Sequence, residues 1–232
     1  MKYLSITPIV FALHRIVEGG VTREHRTSSA TSALLTHYFP VDKFLITPEQ
    51  AQVISNKKPD FSIEKVFDVS RAEKHVYVEV KSIVSRDDHE DMLEQVWDSV
   101  ATALEHSGDS SVFVIVMKGT LIGFYTLHNL SELDLWGVPN HLGLIPLTFK
   151  MTPSMLGGIN YDETTLIEHL RYIVAKSELP TDPDVLTRLG VKSTPNLPHP
   201  HIWDLLNRDH EDHIHNLFMN MAKNEPNDHI KV

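Results

Sequence analysis

Residues 111–118, SVFVIVMK, are almost all apolar and show no alternation between apolar and polar positions. A strand has this pattern when both faces of its sheet are covered, because a half-exposed strand alternates. Gly119 and Thr120 follow directly, and LIGFYTLH at 121–128 is a suitable hairpin partner. We therefore expect a central sheet with helices on both of its faces.

The segments before this strand supply the other elements of an α/β fold. Two strands are predicted around a charged turn at 70–73, and a short apolar stretch predicts a third. Helices are predicted where apolar residues recur at a spacing of three and four. The predicted order is helix, strand, strand, strand, helix, strand, over residues 27–38, 41–47, 60–69, 74–84, 88–106 and 111–118.

Composition and proline content divide the chain into four parts. With 232 residues, of which 41% are hydrophobic and 22% charged, the chain has enough apolar material for a core. We expect the α/β core at 1–128, additional elements packed on it at 129–177, and a Pro-rich connector at 178–200. Apolar residues at helical spacing from 201 to 221 predict a C-terminal helical arm within 201–232, packed on the body or on a second copy in a homodimer.

Composition also limits the function and the compartment. The absence of cysteine excludes thiolate metal sites and thiol nucleophiles, and it fits an intracellular location in cytoplasm or nucleus. The N-terminal segment reads as a helix with Thr7 as N-cap and Pro8 at its first position, not as a signal peptide. No stretch of about 18 apolar residues exists, so no membrane partner is expected.

Strand 74–84 carries charged residues near its end, on the side opposite its valines. His75, Tyr77, Glu79 and Lys81 are expected to share one face. Pairing with strand 60–69 as a hairpin brings the start of that strand near Glu79. Asp60 lies at this start, so two carboxylates and an ammonium group are expected at one end of the sheet.

This group of side chains suits the hydrolysis of phosphodiesters. Carboxylates of Asp60 and Glu79, with the backbone carbonyl of Val80, are the oxygen ligands that Mg²⁺ prefers, and Mn²⁺ accepts the same set. Such an ion activates water and neutralises charge on phosphate. Lys81 is placed to hold the attacking water or to offset developing negative charge.

The sequence KPD at 58–60, followed by EVK at 79–81, resembles the signature of the PD-(D/E)XK nuclease superfamily. The order of elements around it is similar to the core of that family, the restriction-endonuclease-like fold, over about residues 22–128. The resemblance implies a metal-dependent endonuclease that acts on DNA or RNA. It makes Asp60 and Glu79 metal ligands and Lys81 the catalytic lysine.

Two further positions of the family have candidates in this chain. Some members carry a glutamate in the first core helix, for which Glu24 and Glu18 are alternatives. Others carry a glutamine on the helix after the lysine, and Gln95 has a suitable spacing, although Ser99 stands where a tyrosine often follows. Gln95 is expected about 150° away from the apolar stripe of its helix. That stripe consists of Leu93, Val96, Trp97, Val100 and Leu104.

The distribution of basic residues bears on nucleic acid as a partner. A net charge of −10 disfavours non-specific binding to a phosphate backbone. Lysine and arginine are nevertheless concentrated in the first 90 residues, around the expected site. Lys57, Lys58 and Arg86 are the candidates for contact with nucleic acid.

Other interpretations of the same residues stay open. Glu79 and Lys81 are alternatively a solvated ion pair on a strand, and the chain a non-catalytic binding or assembly protein on a nuclease-like fold. His210 and His213 share a helix face and are conceivable transition-metal ligands, as are His25 and His37 near the first core helix.

Overall fold

The structure is a computed structural model that describes residues 1–18, 24–48, 59–85, 111–128, 144–147 and 202–226, and residues 92, 93, 95, 96, 99 and 100. The expected connector at 178–200 lies outside the described residues. So does the segment 129–177, apart from residues 144–147.

The described residues form an α/β fold with one mixed sheet between helices, as the sequence predicts. The predicted order of the core is confirmed as α2, β1, β2, β3, α3, β4. The helices are α1 (Thr7–Val17), α2 (Glu24–Tyr38), α3 (the helical residues within 92–100) and α4 (Glu211–Lys223). The strands are β1 (Phe44–Pro48), β2 (Phe61–Asp68), β3 (Arg71–Lys81), β4 (Ser111–Lys118), β5 (Leu121–His128), β6 (Leu144–Pro146) and β7 (Ile202–Asp204).

The strands lie in the order β1-β2-β3-β4-β5-β6, and β7 pairs with β5. The pair β3 and β4 is parallel, whereas the other neighbouring strands are antiparallel. A parallel pair requires a long crossover, and α3 lies in the segment that makes it. β4 and β5 have the boundaries that the sequence predicts.

Both faces of β4 are buried, which explains its lack of alternation. Phe113, Ile115 and Met117 belong to a large core that includes residues of α1, α2 and α4. The residues that alternate with them in β4 belong to a smaller core, which lies on the other face of the sheet and includes residues of α3. That smaller core consists of Tyr77, Met92, Val96, Val100, Val112, Val114, Val116, Tyr125 and Leu127, with Leu93 packed against it.

The helix expected from 201 onward is wrong at its first residues. Ile202–Asp204 form β7 and pair with Leu121–Gly123, because β6 covers only the distal half of β5. α4 then packs Phe218 against Tyr38 of α2, with the rings stacked at a centroid distance of 4.3 Å. Residues 202–226 therefore contribute a strand and a helix to the large core.

Alternation along the strand predicts that His75 and Tyr77 share one face, and for His75 this prediction is wrong. β2 and β3 shift register between Ile63, which pairs with Val76, and Glu64, which pairs with Lys74. His75 is the additional residue of this bulge, and a bulge redirects a side chain. Its ring lies in the large core against Phe39, Phe44 and Phe113, and Nε2 is 2.7 Å from the carbonyl oxygen of Met221.

Two helix starts differ from the sequence prediction. Thr7 is the first residue of α1, not its N-cap; Ile6 has the cap position and makes no capping bond through its side chain. α2 begins at Glu24, three residues before the predicted start at 27. Residues 24–26 are polar, so apolar periodicity gives no indication that they are helical.

Candidate active site

The register of β2 and β3 brings Asp60 beside Glu79. Phe61 pairs with Val78, so the residue before Phe61 lies next to the residue after Val78. The hairpin turn is tighter than the predicted turn at 70–73, because Asp68 already pairs with Arg71. With this turn, Asp60 lies opposite Glu79.

The carboxylate of Asp60 is bonded to the main chain of β3. Its Oδ2 accepts a hydrogen bond of 2.6 Å from the backbone N–H of Val80. β2 begins only at Phe61, so the ladder does not reach this N–H and the side chain of Asp60 takes the place of a carbonyl. Asp60 is thereby fixed beside the backbone that joins Glu79 to Lys81.

Glu79 and Lys81 form an ion pair on the same face of β3. Nζ of Lys81 lies 2.8 Å from Oε1 of Glu79, and the two side chains are 18% and 8% exposed, respectively. Ion pairs this far removed from water lose much of their mutual attraction to the cost of desolvation. Stability alone is therefore a weak reason for placing this pair here.

The environment of Glu79 disfavours a negative charge. Burial, together with the charges of Asp60 and Glu24, raises its pKa from 4.5 to about 7, although the hydrogen bond and the charge of Lys81 act in the opposite direction. A pKa near neutrality in a cluster of like charges is typical of functional carboxylates. A cation bound at this position would oppose the shift by favouring the charged carboxylate.

Lys81 keeps its positive charge because the carboxylates around it stabilise the ammonium form. Burial lowers its pKa, but the hydrogen bond and charge of Glu79, with the charges of Asp60 and Glu24, outweigh burial and leave the pKa above 10.5. Lys81 is therefore an ammonium donor at neutral pH. It cannot act as a base.

Glu24, one of the two alternatives for the family glutamate, is the first residue of α2. It is exposed, and its charge acts on both Glu79 and Lys81. Glu18, the other alternative, follows α1 at its C-terminal end and contributes to neither shift. The structure therefore favours Glu24 as the third acidic residue of the cluster.

Gly119 supports the end of β3, a role that the sequence did not indicate. Its backbone N–H donates to the carbonyl of Lys81 at 3.0 Å, and its φ of 60° is in the left-handed region. A Cβ atom added there would lie 2.7 Å from Cβ of Ile83. The glycine at this hairpin turn lets β4 and β5 turn back against the chain that leaves Lys81. The Gly-Thr pair between two strands was the only signal, and it indicated a turn without the contact to Lys81.

The acidic cluster offers donors that suit a hard divalent cation. Asp60 and Glu79 supply carboxylates, and the carbonyl of Val80 belongs to the main chain between Glu79 and Lys81. Within the described residues, no group of three or more histidine, aspartate or glutamate side chains has the arrangement of a complete metal site. A Mg²⁺ ion, which keeps several of its waters, needs only one or two carboxylates.

Of the remaining predicted site residues, Gln95 is the one within the described part of the chain. Gln95 is half-buried on α3, and within the described part of the chain it makes no hydrogen bond with Glu79 or Lys81. Lys57, Lys58 and Arg86 lie outside the described residues.

Three of the four histidines considered as metal ligands have other contacts. Nδ1 of His210 accepts from the N–H of Asp204 at 3.1 Å, and the ring of His213 packs on Trp203 at 4.7 Å between centroids. His37 bonds through Nε2 to the carbonyl of Met1 at 2.9 Å. These contacts join Met1 to α2 and the residues of β7 to the chain around His210 and His213.

Comparison of the chain with family models, with curated proteins and with solved structures found no match in any of the three. Among the described residues, no helix combines the length and apolar character needed to cross a bilayer.

Proposed function

We propose that the protein is a metal-dependent nuclease on a restriction-endonuclease-like core, with Asp60, Glu79 and Lys81 as its catalytic residues. The supporting observation is the meeting of these three side chains at one end of the β2–β3 ladder. The order of α2, β1, β2, β3, α3 and β4 is the order expected of that family. The substrate is the phosphodiester backbone of DNA or RNA.

The donor set supports Mg²⁺ or Mn²⁺ as the cofactor. Asp60 and Glu79, with the carbonyl of Val80, would hold the ion, and Glu24 adds negative charge nearby. Burial is the largest cause of the raised pKa of Glu79, and the charges of Asp60 and Glu24 add to it; a bound divalent ion would offset both by favouring the carboxylate. When bound, the ion supplies Lewis acidity that activates water and offsets charge on the phosphate.

The remaining steps belong to residues of the chain. Asp60 is held by the N–H of Val80, so its second oxygen has a fixed direction. Lys81, held by Glu79, directs an N–H toward the attacking water or a non-bridging phosphate oxygen. Water adds to phosphorus, the P–O bond to one sugar breaks, and the products are a phosphate monoester and an alcohol. No covalent intermediate with the protein is required.

A cleavage assay tests this proposal. The purified protein is incubated with labelled single- and double-stranded DNA and RNA, in Mg²⁺, in Mn²⁺ or in EDTA. We expect cleavage that requires the metal and that Asp60→Ala abolishes. Asp68→Ala is the matched control, because Asp68 lies on the same strand and accepts hydrogen bonds from Ser70 in the adjacent turn.

Two results contradict the proposal. Equal cleavage by wild type and Asp60→Ala would place the activity elsewhere. Absence of cleavage of all four substrates, together with no stabilisation by either metal, would favour a binding or assembly protein on the same scaffold.

A further inference from the structure

A cavity of about 220 Å³ lies between α1 and the first turns of α2, outside the acidic cluster. Its described lining combines one aromatic ring, two guanidinium groups and an imidazole, and no acidic side chain. The lining residues are Phe11, Ala12, Arg15, His25, Arg26 and Ser29.

The aromatic ring of this cavity is unusually open to solvent. Phe11 is 61% exposed, whereas Ile9, Leu13 and Ile16 of the same helix are buried. The guanidinium carbon of Arg15, one turn further along α1, lies 5.7 Å from the centroid of the Phe11 ring. An open aromatic face next to a cation is the combination with which proteins bind single-stranded nucleic acid.

Arg26 makes the inner wall of the cavity rigid. Its Nη1 donates to the carbonyls of Arg15 at 2.9 Å and Glu18 at 2.6 Å, which ties the end of α1 to the start of α2. Nε of Arg26 is buried and has no hydrogen-bond partner in the described part of the chain. The wall therefore carries an unused donor as well as a fixed positive charge.

The cavity lies next to Glu24 in the sequence and along α2. His25 and Arg26 directly follow Glu24, whose charge acts on Glu79 and Lys81. At a rise of about 1.5 Å per residue, the α2 side of the cavity lies within roughly 8 Å of Glu24 along the helix axis. A polynucleotide bound at the acidic cluster would have its neighbouring nucleotides at this distance.

We propose that the cavity binds an unpaired nucleotide of a single-stranded nucleic acid, with the base against Phe11 and a phosphate at Arg15 and His25. The inference rests on the proposed function and specifies its substrate. The volume of about 220 Å³ suits a single base. Stacking on a phenylalanine tolerates every base, so this site adds affinity without sequence preference.

Binding is measured on the full chain by fluorescence anisotropy in EDTA, where the proposed cleavage does not occur. The probes are labelled single-stranded DNA and RNA of about 12 nucleotides, and a blunt duplex of the same length. The variants are Phe11→Ala and Arg15→Ala. Both residues are exposed, so neither substitution removes a buried contact.

The chain contains a matched control pair. Phe67 is 45% exposed, and the guanidinium of Arg71 lies 4.7 Å from its ring centroid. This pair is at the hairpin turn of β2 and β3, at the opposite end of β3 from Lys81. Phe67→Ala and Arg71→Ala therefore remove the same chemistry far from the proposed path of the strand.

We expect Phe11→Ala to weaken single-strand binding about tenfold, the effect of losing one stacked base, with an unchanged salt dependence. Arg15→Ala should reduce the slope of log K against log salt by about 0.7, the value for one phosphate contact on a single strand. The two control variants should bind as the wild type does. Phe11→Tyr should retain affinity, because it keeps the ring.

Wild-type affinity in both Phe11→Ala and Arg15→Ala, or an equal loss in Phe67→Ala, overturns the inference. A wild type that binds only the duplex, or no nucleic acid, overturns it as well. A different result would contradict the nuclease proposal alone: single strands bind through Phe11 and Arg15 but are not cleaved with either Mg²⁺ or Mn²⁺. Metal-dependent cleavage with no effect of Phe11→Ala or Arg15→Ala leaves the nuclease standing without this subsite.

Discussion

The ladder of β2 and β3 carries two glutamate–lysine pairs that are alike in residue type and different in surroundings. Near the hairpin turn, Lys74 bonds Glu64 across the strands, and both side chains are about one quarter exposed, at 27% and 25%. At the other end Lys81 bonds Glu79, and both side chains are more deeply buried.

A second difference lies in the charges around each pair. Lys74 has one carboxylate as its partner, with the hydroxyl of Ser62 3.5 Å away. Glu79 faces Asp60 and Glu24 in addition to Lys81, so negative charge is in excess at that end. Under the proposed function a bound cation would offset this excess, whereas Lys74 and Glu64 already balance each other. A glutamate and a lysine on a strand thus indicate a site only when their neighbours are known.

The largest expected difference between the two pairs is in the cleavage rates of Lys81→Ala and Lys74→Ala. If the nuclease proposal holds, Lys81→Ala should slow cleavage by about 10²–10³-fold, since it removes a preorganised donor for developing negative charge. Lys74→Ala should cleave as the wild type does, because its pair is at the opposite end of β3. The measurement is single-turnover cleavage in Mg²⁺. A comparable loss in both variants would mean that the lysines act through the stability of the strand.

The pH dependence of the free energy of unfolding should differ between variants of Glu79 and Glu64. Because the pKa of Glu79 is raised to about 7 from 4.5, the native state holds an extra proton between these pH values, and the free energy of unfolding falls as pH rises through them. The fall amounts to about 3 kcal/mol and should be absent in Glu79→Gln. Glu64→Gln should retain it. Urea unfolding at intervals between pH 4 and 8, without divalent metal, measures the effect; parallel curves for wild type and Glu79→Gln would contradict it.

Divalent metal should stabilise only the end with excess negative charge. At an ion concentration about ten times its dissociation constant, Mg²⁺ should add about 1.4 kcal/mol, a rise of roughly 3 °C in the melting temperature. Asp60→Ala should lose this rise, and Glu64→Gln should keep it. Calorimetry with Mg²⁺ and with EDTA gives the comparison. An undiminished rise in Asp60→Ala would place the ion elsewhere.

Glu24 should have the smallest effect. Its charge raises the pKa of Glu79 less than burial and the charge of Asp60 do, and it lies at an exposed position. Glu24→Gln should therefore lower the pKa of Glu79 by a fraction of a pH unit, and added salt should reduce the difference. Carboxyl NMR titration of Glu79 provides the value. Glu18→Gln, at the end of α1, is the control and should leave the titration unchanged.

The central elements were predictable because their signals are local. The unbroken apolar run at 111–118 requires cover on both faces, and the hairpin to 121–128 follows from the two residues between the strands. The meeting of Asp60 and Glu79 was predictable from hairpin pairing alone. The bulge that adjusts their alignment was not, because it places His75 against Phe44 and Phe113, which are distant in the sequence.

The parts that the sequence did not reveal depend on distant contacts. β7 has three residues, too few for a period of two to appear, and it forms because β5 offers an uncovered edge. The cavity beside Phe11 forms where α1 and α2 meet, through Arg26. Spacing in the sequence identified Asp60, Glu79 and Lys81 as candidate site residues. The exposure of Phe11, in contrast, is a property of the folded chain.

The position of β7 and α4 has a consequence for how the protein is made. The hydroxyl of Tyr3 donates to the carbonyl of Leu205 at 3.0 Å, and the N–H of Leu4 donates to the carboxylate of Glu211 at 3.1 Å. At about 5–20 residues per second, a ribosome needs roughly 4–15 s to pass from the end of β5 to the start of β7. During that interval the inner surface of α2 around Tyr38 lacks its cover. The nascent chain should therefore bind chaperones that recognise exposed apolar surface until residue 221 has left the exit tunnel.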